Sequence, residues 1–352
     1  MWPEDSELEE KYSDIVELIK RLPRLKELTF TGGDRLPLVL INVLQEYHPH
    51  ASLHVERWSR IREDEDHNNP VEMALAKSPN LRSISALFMN EETACDLRIP
   101  ALKRIIALAP NLERIAVSSV DIGCVIRGYS GEQLVEIDRR SKLFDVEQPS
   151  PNSIRSLIYH GKDFVRTFED VTDISKLELL HISSIPRLDY FAKNGVPNGR
   201  FASLSDLSLT LALSTRRPPN QYIDVVDQFL LSCNPLKSLS IKGSFNMISL
   251  LEILLRHGST LRKLSLHESE SPSLERPRQV LSQIQLAHIQ KVCPLLEDIE
   301  VDINRSSDGK VEQALFFSLA GLPKLKTVQL YVDLGIAHIA RYVSFSSGQR
   351  QY

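Results

Sequence analysis

The sequence predicts an α/β solenoid, with parallel strands on a concave face, helices on a convex face, and about eleven irregular repeats forming a horseshoe. Three observations predict it. The first is Leu261-Arg262-Lys263-Leu264-Ser265-Leu266, which reads L-x-x-L-x-L and comes back along the whole chain. Full copies are Leu25-x-x-Leu28-x-Phe30, Leu112-x-x-Ile115-x-Val117, Leu177-x-x-Leu180-x-Ile182, Leu204-x-x-Leu207-x-Leu209, Leu236-x-x-Leu239-x-Ile241, Leu296-x-x-Ile299-x-Val301 and Leu325-x-x-Val328-x-Leu330. Leu81-x-x-Ile84, Ile154-x-x-Leu157 and the shortened Leu53-His54-Val55 complete the series.

The second observation is the spacing. The second anchors fall at residues 28, 53, 84, 115, 157, 180, 207, 239, 264, 299 and 328, in steps of 23 to 42 residues with a mean of 30. That is at or just above the upper end of the leucine-rich repeat range, where each unit is a strand plus a helix. Alternation puts Leu264 and Leu266 on one face of a strand. A single unit cannot bury that face, so neighbouring units must stack. The third observation is proline: Pro23, Pro79, Pro110, Pro235, Pro294 and Pro323 each precede a first anchor by one or two residues. Proline lacks an amide donor and disfavours helix in the residue before it, so it ends the helix and starts the turn into the strand.

The elements follow in order. Tyr12 to Arg21 has helical apolar spacing and makes residues 1–21 an N-terminal helical cap. Leu38 to Tyr47 is the next helix. Asn69, Pro70 and Glu72 read as an N-cap, a first helical position and the closing acid of a capping box. The charged run Arg62 to Asp66 before them reads as a loop, and Ala101 to Ala109 as a helix. Residues 119–150 break the rhythm with the longest step, opened by Gly123, Gly128 and Gly131 and closed by Gln148-Pro149-Ser150-Pro151. They read as a repeat carrying an insertion, with helix over Gln133 to Arg140; loops of that length are functional or disordered. The short steps to residues 180 and 207 leave room for turns or a brief helix.

Asn194 to Gly199 and Arg216 to Asn220 are connectors. Tyr222 to Cys233 is a helix, and Phe245 to Arg256 is an apolar helix that Gly258 ends as a C-cap. Ser269 to Pro277 is a Ser/Pro-rich loop. Val280 to Val292 and Val311 to Leu319 are the last helices, and residues 335–352 are a C-terminal cap or tail. A solenoid grows without dividing, so residues 1–352 read as one domain.

Ser78-Pro79-Asn80-Leu81, Ala109-Pro110-Asn111-Leu112, Leu322-Pro323-Lys324-Leu325, and Tyr47 to Val55 followed by Trp58 resemble the repeat region of fungal F-box leucine-rich repeat proteins. The resemblance implies a substrate receptor: the arc holds a target while an F-box docks on a ubiquitin-ligase scaffold. Only the residues before Leu25 precede the first repeat, fewer than an F-box needs. The expectation is therefore a scaffold partner only where an F-box lies upstream, with a structural or scaffolding repeat protein unconnected to ubiquitin as the alternative.

Composition bounds the rest. The chain is 42% hydrophobic and 25% charged, with a net charge of −4. That is ordinary for a soluble protein and argues against a general nucleic-acid binder, which would carry a basic face. Cys95, Cys124, Cys233 and Cys293 are too scattered for a disulfide framework or a Cys-x-x-Cys zinc site, and Cys233 and Cys293 read as buried filler. The acidic start Met1-Trp2-Pro3-Glu4-Asp5 does not read as a signal peptide, and the apolar run Met247 to Leu255 is too short for a bilayer. The expectation is a cytoplasmic or nuclear protein with no membrane contact.

Motifs for chemistry are missing. There is no G-x-G-x-x-G, no G-x-x-x-x-G-K-[ST], no G-x-S-x-G and no H-E-x-x-H. His48, His50 and His54 are close in sequence, but His48 and His50 flank a proline turn and the ligands that would partner them are absent. No catalytic residue, metal or cofactor is predicted. What remains is the concave face. Its central column is Thr29, His54, Ser85, Ala116, Ile158, His181, Ser208, Ser240, Ser265, Glu300 and Gln329; the next is Thr31, Glu56, Leu87, Ser118, His160, Ser183, Thr210, Lys242, His267, Asp302 and Tyr331. The last repeats gather charges and an aromatic ring: Lys242, Lys263, His267, Asp298, Glu300, Asp302 and Tyr331. These predict a site for a protein partner, since aromatic side chains are enriched in interface cores.

Overall fold

A computed structural model describes residues 9–32, 35–60, 68–89, 97–120, 139, 141–146, 154–160, 171–183, 201–211, 219–268, 279–303 and 309–332. Two compact units cover the chain, Met1–Leu177 and Glu178–Tyr352. In the first, strands β1 (Glu27–Phe30), β2 (Ser52–Trp58), β3 (Leu81–Met89), β4 (Arg114–Val120) and β5 (Ser156–His160) pair in parallel, in chain order. Helix α1 (Ser13–Arg21) precedes β1, and α2 (Leu38–Tyr47), α3 (Pro70–Lys77) and α4 (Arg98–Leu108) connect β1 to β4. In the second, β6 (Leu179–Ser183), β7 (Asp206–Leu211), β8 (Ser238–Gly243), β9 (Lys263–His267), β10 (Asp298–Ile303) and β11 (Thr327–Val332) pair the same way. Between them run α5 (Pro219–Ser232), α6 (Leu250–His257), α7 (Gln283–Val292) and α8 (Lys310–Ala320). Each unit is a run of strand-plus-helix repeats, the α/β leucine-rich repeat architecture that the spacing predicts.

The anchors form the core. Leu81, Leu112, Leu236, Leu261 and Leu296 are fully buried, as are Leu207, Leu239, Leu264 and Ile299, which register with one another on β7 to β10. Burying each such side chain stabilises by about 2 kcal/mol. The residues between anchors alternate to the opposite, open face, as in the pattern of β7, half-buried at Asp206, Ser208 and Thr210 and buried at Leu207, Leu209 and Leu211. On β11 the anchor Val328 is 43% exposed. The segment that the sequence assigns to a cap, 335–352, lies outside the described residues.

Polar side chains stitch successive repeats. The Pro-Asn-Leu corners put Asn80 and Asn111 where their amides donate to the preceding repeat, Asn80 to the carbonyls of His48 and Ala51 (3.0 and 2.7 Å) and Asn111 to that of Pro79 (2.9 Å). Asn234 does the same to Ala202 (2.9 Å). His48 and His257, at the ends of α2 and α6, reach the carbonyls of Ile19 and Leu230 (2.8 and 3.0 Å). Both carbonyls lie in the last turn of the preceding helix, where backbone acceptors lack a helical partner. His48 is therefore a stitch.

Several elements differ in detail from the sequence reading. Asn69 caps α3 through the amides of Val71 and Glu72, but the Glu72 carboxylate lies between Arg60 (3.4 Å) and Arg104 (3.6 Å), all three buried. Helix α4 begins at Arg98, three residues before the predicted start, and carries Pro100 in its first turn, where a missing amide costs nothing. The predicted helix from Phe245 divides into a 3-10 turn, Phe245–Met247, and α6, because Ile248 is extended. Gly258 is right-handed, so it is not a left-handed cap. It is glycine because a Cβ there would lie 2.5 Å from the Val292 carbonyl oxygen. Helix α7 starts with a capping box of Ser282 and Gln285. Cys233 and Cys293 are buried free thiols, and burial pushes both up to about 12.

Of the insertion at 119–150, the 3-10 turn Lys142–Phe144 is described. It buries Phe144 with the Arg60 and Arg104 guanidiniums 4.9 and 4.7 Å from its ring centroid. The predicted helix at 133–140, apart from Arg139, lies outside the described residues. So do the run 62–66, the connector 194–199 and the loop 269–277.

Candidate partner-binding surface

Parallel register sorts the open face of β8 to β11 into three rows. Ser238, Lys263, Asp298 and Thr327 form one, Ser240, Ser265, Glu300 and Gln329 the second, and Lys242, His267, Asp302 and Tyr331 the third. All seven residues singled out from the sequence sit in these rows, and all lie in the second unit. Neighbouring strands are about 4.8 Å apart, so side chains in one row meet.

The third row is built around a buried acid. His267 Nδ1 donates to Asp302 Oδ1 at 2.8 Å, and the Glu268 amide donates to Asp302 Oδ2 at 2.6 Å. The Tyr331 ring stacks on the His267 ring, centroids 4.0 Å apart at 26°. These two rings stand on strands either side of Asp302 and close over it, which leaves the residue 3% exposed. Asp302 therefore does not present its charge, contrary to the reading of it as a contact residue: it is the support that orients the aromatic pair. The Tyr331 hydroxyl accepts from Gln329 Nε2 at 2.6 Å. Burial first, then the charges of Glu300 and Asp302, raise its pKa above the ordinary phenol value.

The other charges divide into paired and presented. Lys263 lies 3.5 Å from Asp298, both partly exposed. Glu297 bridges Arg262 and Lys326, and those two hydrogen bonds hold its carboxyl below the usual carboxylate range. Exposed pairs of this kind contribute about 0–1 kcal/mol. Glu300 accepts one hydroxyl, from Ser265, at 3.0 Å. Lys242 is exposed, and among the described residues it has no ion-pair partner. The patch thus presents a rigid aromatic pair, one carboxylate and one ammonium.

Sequence reasoning missed Glu268, whose carboxylate accepts from the Gln279 amide at 2.8 Å and from the Ser244 hydroxyl at 3.5 Å. It closes the repeat behind His267. The signal available was an acid next to the last strand residue of a repeat with a long step. Among the described residues no group of three His, Cys, Asp or Glu side chains could hold a metal ion, and no helix is long and apolar enough to cross a membrane.

No family model matches the sequence, and no curated protein matches it. Among solved structures, the chain is similar to the leucine-rich repeat-containing protein LegL7 from Legionella pneumophila. The sequences are 15% identical, 94% of this chain and 99% of that chain are covered, and the TM-score is 0.40.

Proposed function

We propose that this chain is a protein-binding repeat module and that a polypeptide partner docks on the open face of β8 to β11. The observation that carries the reading is the stacked His267–Tyr331 pair over the buried Asp302. A prepacked aromatic pair offers contact area without ordering entropy, the character of residues that dominate binding energy. Lys242 and Glu300 flank it with opposite charges and set the register of a partner. The resemblance in the sequence takes the reading one step finer, to the substrate-recognition part of an F-box-type ubiquitin-ligase receptor.

The test is the double variant Lys242→Glu with Glu300→Lys in a quantitative pull-down, chosen because neither side chain is buried. Partners captured by the parent and lost by the variant support the site; an unchanged set with unchanged yield overturns it. A parallel pull-down with the ligase adaptor tests the finer step. No binding there favours a scaffolding role unconnected to ubiquitin.

A further inference from the structure

The open face of the first unit holds a cleft of about 580 Å³ lined by residues of β1 to β5. Its lining shares no residue with the patch on β8 to β11. Its centre is His54, which the sequence places in the column with Ser85. A register shift between Leu53 and His54 sets it beside Ser83 instead. The His54 ring Nδ1 lies 2.7 Å from Ser83 Oγ and 3.3 Å from an Arg114 guanidinium nitrogen. Arginine only donates, so Nδ1 is the acceptor and the proton is on Nε2, which faces Glu27 Oε1 at 3.4 Å. The ring has one lone pair in that direction, and the shorter contact, from the Ser83 hydroxyl, takes most of it. Arg114 is therefore held loosely and by a neutral group.

Among the described residues no carboxylate lies within ion-pair distance of Arg114, and it is exposed. Ser156 registers with it on β5 and offers a hydroxyl beside it, whereas Ser83, its neighbour on β3, gives its one proton to His54. Arg57, also on the cleft and exposed, has φ 62°, a left-handed backbone that a β-bulge between Val55 and Trp58 imposes. Strained non-glycine backbone of this kind persists where the surroundings determine it and clusters at binding sites. Glu27 and Glu56 also line the cleft; Glu27 lies on the Nε2 side of His54, whose pKa burial lowers, against an opposing pull from Glu27 and with Arg114 adding to the lowering.

We propose that this cleft is a second binding site, one that takes an oxyanion side chain of a partner polypeptide, carboxylate or phosphate, in a fork-like contact with Arg114. A guanidinium offers five donors in a planar fork matched to either group, and here one nitrogen has a single long contact. The Ser156 hydroxyl on the adjacent strand adds a donor, and the bulge brings a second guanidinium to the rim.

The probes are fluorescein-labelled octaglutamate and a labelled octapeptide of neutral residues around one phosphoserine, with octalysine as the control. Anisotropy is read on the full chain at low salt. Octaglutamate or the phosphopeptide should bind, octalysine should not, and Arg114→Gln should weaken binding by about tenfold or more. The tighter of the two identifies carboxylate or phosphate. Lys291→Gln, an exposed lysine on α7 outside both candidate sites, should leave binding within about twofold. Equal loss in both variants, no loss in Arg114→Gln, or no binding of either anionic probe overturns the proposal. Circular dichroism on Arg114→Gln checks that a loss is not unfolding, and Arg114→Lys, which keeps charge but not the fork, should restore less than half of the lost affinity.

Discussion

His267 and Asp302 face each other across β9 and β10 with Nδ1 and Oδ1 2.8 Å apart, and the Asp302 side chain is fully enclosed. Replacing Asp302 by alanine removes the acceptor of the His267 ring proton and of the buried Glu268 amide. Each unmet buried donor costs about 1–3 kcal/mol. Asp302→Ala should therefore lower unfolding stability by about 2 kcal/mol or more in urea titration. Glu300→Ala, whose carboxylate accepts one hydroxyl from a half-buried position, should stay within about 1 kcal/mol of the parent. Equal effects of the two would mean that Asp302 does not hold the aromatic pair.

Stability should fall in acid through His257. The residue is fully buried, its Nδ1 accepts from the Leu236 amide at 3.2 Å, and its Nε2 donates to the Leu230 carbonyl. Burial, the largest cause, lowers its pKa, and the nearby Arg256 acts in the same direction. The folded value lies below the unfolded one of about 6.5. The unfolded chain therefore binds the proton first, and this part of the stability is present above about pH 6.5 and lost as pH falls below it. His54 shifts the same way. Melting temperatures from pH 8 to 5 should drop more steeply in the parent than in His257→Gln; parallel curves would remove His257 from the account.

The insertion should be anchored by Phe144. Its ring is buried against Arg60 and Arg104, which share the Glu72 carboxylate. Phe144→Ala removes a large buried side chain and the cation–π partner of two guanidiniums, and should cost about 3 kcal/mol or more. Leu143 beside it is 51% exposed, and Leu143→Ala should change stability by about 0.5 kcal/mol at most. Similar losses from both, by chemical denaturation, would show that the turn itself and not the ring does the holding.

The two candidate sites differ in how far they could be read in advance. All seven residues of the β8 to β11 patch were named from the sequence because those repeats keep the L-x-x-L-x-L register without a break, and rows follow from register alone. The roles within the patch were not readable. Asp302 and Glu300 are both acids in a strand position facing the open side, yet one is sealed under two rings and the other is presented. The contacts of His54 are not legible in the sequence, because a bulge moves its neighbour from Ser85 to Ser83.

The sequence by itself determined the repeat, the parallel order within each unit, the buried anchors and most helices, because a period of apolar residues has one efficient way to leave water. Only the tertiary structure decided which polar groups meet. Arg60, Glu72, Arg104 and Phe144 come from four separate segments, and no local pattern marks them. Hydrogen bonds and ion pairs are short-ranged and directional. Their partners are set by strand register, bulges and the closing of one side chain over another, which exist only after the repeats have stacked.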